Sequence, residues 1–91
     1  MKKQILCHNE FTIAGRISDN INKIVDNRIR VLIYCPNDDD YNQMANKIYI
    51  DFDASLLSNF MEMIGHAIVV TGHIENNNDL CLISDMFKFI N

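Results

Sequence analysis

Residues 28–35 read Arg28-Ile29-Arg30-Val31-Leu32-Ile33-Tyr34-Cys35. The two-residue period of an extended strand puts Arg28, Arg30, Leu32 and Tyr34 on one face and Ile29, Val31 and Ile33 on the other. A second alternating run, 47–52, adds Lys47, Tyr49 and Asp51 to an outward face and turns Ile48, Ile50 and Phe52 inward. Cations beside aromatic rings have a chemical use. Guanidinium and ammonium groups hold phosphates, and a tyrosine ring gives an unpaired base a flat partner, worth about 1–3 kcal/mol per stacked base. Arg16 and His73, in or beside other strand-like runs, complete a candidate nucleic-acid-binding set of Arg16, Arg28, Arg30, Tyr34, Lys47, Tyr49 and His73. The same residues have a plainer use: tyrosine and arginine on an exposed strand favour β structure and solubility with no ligand at all, and Asp51 on that face counts toward this reading.

Other chemistries find less support. Cys7, Cys35 and Cys81 contain no CxxC pair, so neither a disulfide framework nor a zinc ribbon is expected and the thiols read as reduced and structural. His8, His66 and His73 lack ligand spacing, and no metal is assigned to them. The Asp38-Asp39-Asp40 run lacks the glycine and the distal glutamate of a calcium loop and reads as a solvated connector. No nucleophile stands beside a base, and no glycine-rich phosphate loop or paired carboxylate has the spacing of an active site. The reading is therefore non-catalytic, with no cofactor.

Ninety-one residues, 48% hydrophobic and 22% charged, describe one folded domain spanning 1–91. No segment approaches the roughly 20 apolar residues of a membrane span, and the apolar run after Lys2-Lys3 is too short for a signal peptide. The expectation is a cytoplasmic protein without membrane contact. A net charge of −4 counts against indiscriminate polyanion binding, so what matters is which face carries which charge.

The elements that would position these residues follow from pattern. A strand over 11–17 turns Phe11, Ile13 and Ile17 one way and Arg16 away from the core; the polar stretch 18–23 then reads as a hairpin loop. Strand 28–35 stops at Pro36, which opens an exposed loop, and strand 47–52 follows. A helix is predicted over 54–64, with Leu56, Leu57, Phe60, Met61 and Ile64 at three- and four-residue steps, Asp53 or Ser55 as cap and Gly65 as stop. Phe60 and Met61 are assigned to the core. Strands 67–74 and 80–90 flank a polar tip at 75–79. Gly15 and Gly72 interrupt strands where a sheet could bend sharply. The order strand-strand-strand-helix-strand-strand, all-β with one helix, fits a five-stranded OB-fold barrel plugged at one end by the helix. The last strand is apolar on both faces, Phe87 and Phe89 against Met86 and Ile90 with Lys88. This predicts self-association into a homo-oligomer, a dimer or higher.

Two segments carry a family resemblance. Asn9-Glu10-Phe11-Thr12-Ile13-Ala14-Gly15-Arg16-Ile17 is similar to the opening strand of bacterial single-stranded DNA-binding proteins of the OB-fold type, which starts with asparagine and closes on Gly-Arg-Leu. Met63-Ile64-Gly65-His66-Ala67-Ile68-Val69-Val70-Thr71-Gly72-His73-Ile74 resembles that family's helix end and fourth strand. The chain has no tryptophan, common on the family's binding face, and Ile64 stands where the family carries lysine. It ends at Asn91 without the family's acidic tail. It thus resembles a tail-less relative, such as the dimeric primosomal accessory OB protein or a plasmid- or phage-encoded variant. The resemblance implies single-stranded DNA as partner, in replication, repair or plasmid and phage maintenance. The alternative is an OB-fold assembly module that has lost nucleic-acid binding.

Overall fold

The protein's structure, a computed structural model, describes residues 9–24, 27–35, 46–77 and 79–90. Five strands, β1 (Phe11–Ile24), β2 (Arg28–Cys35), β3 (Asn46–Asp53), β4 (Ala67–Asn77) and β5 (Asp79–Ile90), close into a barrel in the order β1-β2-β3-β5-β4. A 3-10 turn (Ala54–Leu56) and one short helix, α1 (Leu57–Glu62), stand between β3 and β4. This is the OB fold expected from the sequence. All neighbours pair antiparallel except β3 and β5, which run parallel with Asp51 opposite Ile83.

The alternation read from β2 and β3 sets the core. Ile29, Val31, Ile33 and Ile50 are fully buried, and Phe52 nearly so. Ile17, Ile68 and Val70 join them from β1 and β4. Phe60 of α1 closes one end and stacks in a cluster with Phe52, Phe87 and Phe89, ring centroids 4.4–5.6 Å apart. Burying such a ring stabilises by about 1.5–3 kcal/mol, so this cluster is the plug's main anchor.

Several boundaries depart from expectation. Residues 18–23 are strand, not a hairpin loop: β1 continues to Ile24 through a bulge, and the real turn follows it, with Asn27 in the left-handed region at φ 58°. Ile17 faces Ile33 and Ile21 faces Val31, so Ser18, Asp19 and Asn20 together oppose Leu32. The Ser18 hydroxyl, buried in the bulge, accepts the Asn20 backbone N–H at 3.0 Å. The bulge holds two extra residues, an even number, so the in–out parity is kept: Ile21 turns toward the core as Ile17 does while the polar residues between them are taken out of the ladder. The polar tip at 75–79 is also mostly strand, with Asn77 opposite Asp79. The helix is shorter than expected and ends by Glu62; its buried stripe is Leu56, Leu57, Phe60 and Met63, which leaves Met61 exposed rather than in the core. Adjacent to Phe60 and so rotated from it by about 100° around the helix axis, Met61 falls on the solvent side.

The two strand glycines sit where expected and for a visible reason. A Cβ on Gly15 would strike the Tyr34 carbonyl oxygen, and one on Gly72 the Ile83 carbonyl oxygen. Next to Gly15, Arg16 is opposite both Ala67 of β4 and Tyr34 of β2, so the backbone contact occurs where β1 passes from one neighbour to the other. At Gly72 the β4–β5 register slips, leaving Asp85 without an opposite residue. Gly65 is different: its φ of 90° stops the turn after α1, and its N–H donates to the Ile17 carbonyl at 2.7 Å.

Candidate nucleic-acid interface

The β2–β3 ladder places Arg28 opposite Asp53, Arg30 opposite Asp51, Leu32 opposite Tyr49 and Tyr34 opposite Lys47. The anticipated outward face therefore exists as one surface, although Leu32, within it, is buried. Its two ends have different chemistry.

At one end, Arg30 grips Asp51 with two bonds, Nε to Oδ1 at 2.7 Å and Nη2 to Oδ2 at 3.1 Å, and its Nη2 also lies 3.5 Å from Cys81 Sγ. Only 2% of the Asp51 side chain is exposed, so these bonds neutralise a carboxylate withdrawn from water. Hydrogen bonding to Asp51 raises the proton affinity of Arg30 further above its usual value. Arg28 lies 3.8 Å from Asp51 and 3.3 Å from Glu75 Oε1. His73 continues the chain of charge, with Nε2 2.9 Å from Glu75 and Nδ1 2.9 Å from both oxygens of the bulged Asp85. Its pKa is pushed up by the Glu75 bond first and the Asp85 bond second; Glu75 is held low in turn by His73, with Arg28 assisting.

At the other end the rings dominate. Lys47 Nζ lies 5.8 Å from the centroid of the Tyr34 ring. Tyr49, 45% exposed, has its hydroxyl fixed by a 3.1 Å bond from Asn20 Nδ2, and Asn20 Oδ1 accepts from Asn22 Nδ2 at 2.6 Å. Arg16 is exposed on β1, where its Nη1 donates to the Gly65 carbonyl at 3.0 Å and so ties β1 to the turn after α1.

Of the candidate residues, the structure brings Arg28, Arg30, Tyr34, Lys47 and Tyr49 onto one ladder face, sets Arg16 beside Tyr34 in register and joins His73 to Arg28 through Glu75. Sequence reasoning missed Asn20, hidden in what read as a loop, and the carboxylates Glu75 and Asp85 that occupy the cations. Asp51 had been placed on this face; its pairing with Arg30 needed the β2–β3 register. Cys35 and Cys81 are free thiols, the former with a pKa raised by burial. Cys7 and the aspartates 38–40 lie outside the described residues. Among the described residues no group of histidine, cysteine and carboxylate could hold a metal, and no helix is long and apolar enough to cross a membrane.

No protein-family model and no curated protein matches the chain. Solved structures do. The dimeric N-terminal domain of PriB from Thermoanaerobacter tencongensis superposes with a TM-score of 0.71 at 11% identity, over 91% of this chain and 97% of that one. The mitochondrial single-stranded DNA binding protein Rim1 of S. cerevisiae gives 0.64 at 16% identity, over 90% and 93%. The Plasmodium falciparum SSB in complex with ssDNA gives 0.53 at 13% identity, over the whole of both chains. At such identities the likeness is one of fold.

Proposed function

We propose that this protein is a non-catalytic single-stranded DNA-binding module that uses the outer face of the β2–β3 ladder. The observation that carries the reading is the placement of half-buried Tyr34 with exposed Lys47 and Tyr49 on one ladder face of an OB barrel, with Tyr49 held in place by Asn20. Similar barrels in a mitochondrial single-stranded DNA binding protein and in an SSB bound to ssDNA support it. A role in replication, repair or plasmid and phage maintenance, in the cytoplasm, goes with this reading.

The module acts as a homodimer. Its β4–β5 outer surface carries a shallow groove of about 360 Å³ lined by Val69, Thr71, Met86, Phe87 and Lys88, and Met86 is two-thirds exposed. An apolar surface there suits a second copy, as the dimeric PriB domain with the same fold suggests. Met86→Arg is expected to give monomers in analytical ultracentrifugation, and an unchanged dimer would remove this surface from the interface.

The direct test of function is fluorescence anisotropy of labelled oligothymidine at low salt. Binding that weakens with Lys47→Glu is expected. A second reading has its own support: Arg28 and Arg30 are already engaged by Asp51 and Glu75, as in an assembly module that does not meet phosphates. No oligonucleotide binding by a well-folded dimer would select that reading.

A further inference from the structure

A face that binds single strands can hold the backbone, the bases or both. Three cations lie on the β2–β3 face, and two of them are occupied. A phosphate taking Arg30 would have to displace Asp51, whose buried carboxylate would lose both of its short bonds, and one taking Arg28 would compete with Asp51 and Glu75. Asp53 and Asp85 add further negative charge at that end. What remains for a phosphate is Lys47 and, at the edge, Arg16, neither of which makes an ion pair among the described residues.

The rings are placed differently. Tyr34 and Tyr49 are diagonal neighbours across the ladder, a relation that spaces residues about 7–8 Å apart and lets two flat groups lie side by side. Resting on the reading of this face as a single-stranded DNA platform, we infer that the protein holds the strand by its bases. Tyr34 and Tyr49 form a two-base platform, and only one or two phosphates are engaged, by Lys47 and Arg16.

Binding of this kind has a numerical signature. Each phosphate neutralised on a single strand contributes about −0.7 to the slope of log affinity against log salt, so this face gives a slope between about −0.7 and −1.4, whereas participation of Arg28 and Arg30 would bring it to about −2.8. The experiment compares oligothymidine with an abasic oligomer of equal length and charge by anisotropy across a salt series. Oligothymidine is expected to bind with a slope no steeper than about −2. The abasic strand should bind at least about tenfold more weakly, the size of one lost stacking contact. Replacing both tyrosines, Tyr34→Leu with Tyr49→Leu, should reproduce the abasic loss in a protein that keeps its circular dichroism spectrum. A slope steeper than about −2, or an abasic strand bound within tenfold of oligothymidine, would overturn base-led binding while leaving single-stranded DNA binding intact. Failure of oligothymidine to bind even at low salt would overturn both.

Discussion

Arg30 and Lys47 are both cations on outward positions of neighbouring strands, each facing a polar residue across the same ladder, yet their circumstances are opposite. Arg30 faces a carboxylate that the barrel has taken out of water and is bound to it twice; Lys47 faces a tyrosine ring and keeps an exposed ammonium. The difference lies in the cross-strand partner and in how much solvent that partner keeps. A basic residue on a binding face is available to a ligand only if the fold has not already employed it.

Truncating each cation should expose the difference between the two ends. Arg30→Ala should cost about 3 kcal/mol in urea unfolding, the low end for breaking a buried pair because Arg28 stays near Asp51. A loss below about 1 kcal/mol would place the pair among ordinary surface bridges and free Arg30 for a ligand. Lys47→Ala, at the open end, should cost no more than about 0.5–1 kcal/mol, the value of an exposed cation–π contact, and its consequence should appear in binding. Asn20→Ala sharpens the picture: it removes the bond to the Tyr49 hydroxyl for about 0.5 kcal/mol of stability and should weaken oligothymidine binding by releasing the ring.

The smallest expected effect is a pH dependence at the charged end. His73 has a folded pKa above its ordinary 6.5, so its contribution is fully present below 6.5 and fades as pH rises through the raised value. Glu75, held below its ordinary 4.5, works in the other direction: its contribution is present above 4.5 and is lost as pH falls through the lowered value. The network is therefore strongest between those two ordinary values. His73→Gln should flatten the fall of Tm between about pH 6 and 8, and an unchanged profile would detach His73 from stability.

Much of this was legible in the sequence because it rests on period. Ile29, Val31 and Ile33 against Arg28, Arg30 and Tyr34 fix the faces of β2 without any knowledge of neighbours, and Gly15 and Gly72 mark places where backbones meet. What the sequence concealed depends on pairing. Ser18, Asp19 and Asn20 look like a loop because a bulge breaks the period; the only hint was Ile21 and Ile24 resuming an apolar pattern beyond them. The employment of Arg30 by Asp51, twenty-one residues away, follows from register alone. Met61 was misplaced because a helix this short offers too few turns to define its buried stripe.

The parallel meeting of β3 and β5 has a consequence for how the molecule assembles. Among the described residues the tube is sealed there by one register pair, Asp51 opposite Ile83, while long antiparallel ladders knit the rest. The same Asp51 holds Arg30, so a side-chain clasp lies directly upon the weakest seam of the backbone. Loosening the clasp should unzip the cylinder along that line first, and amide hydrogens flanking Ile83 should exchange with solvent ahead of those in the β4–β5 hairpin.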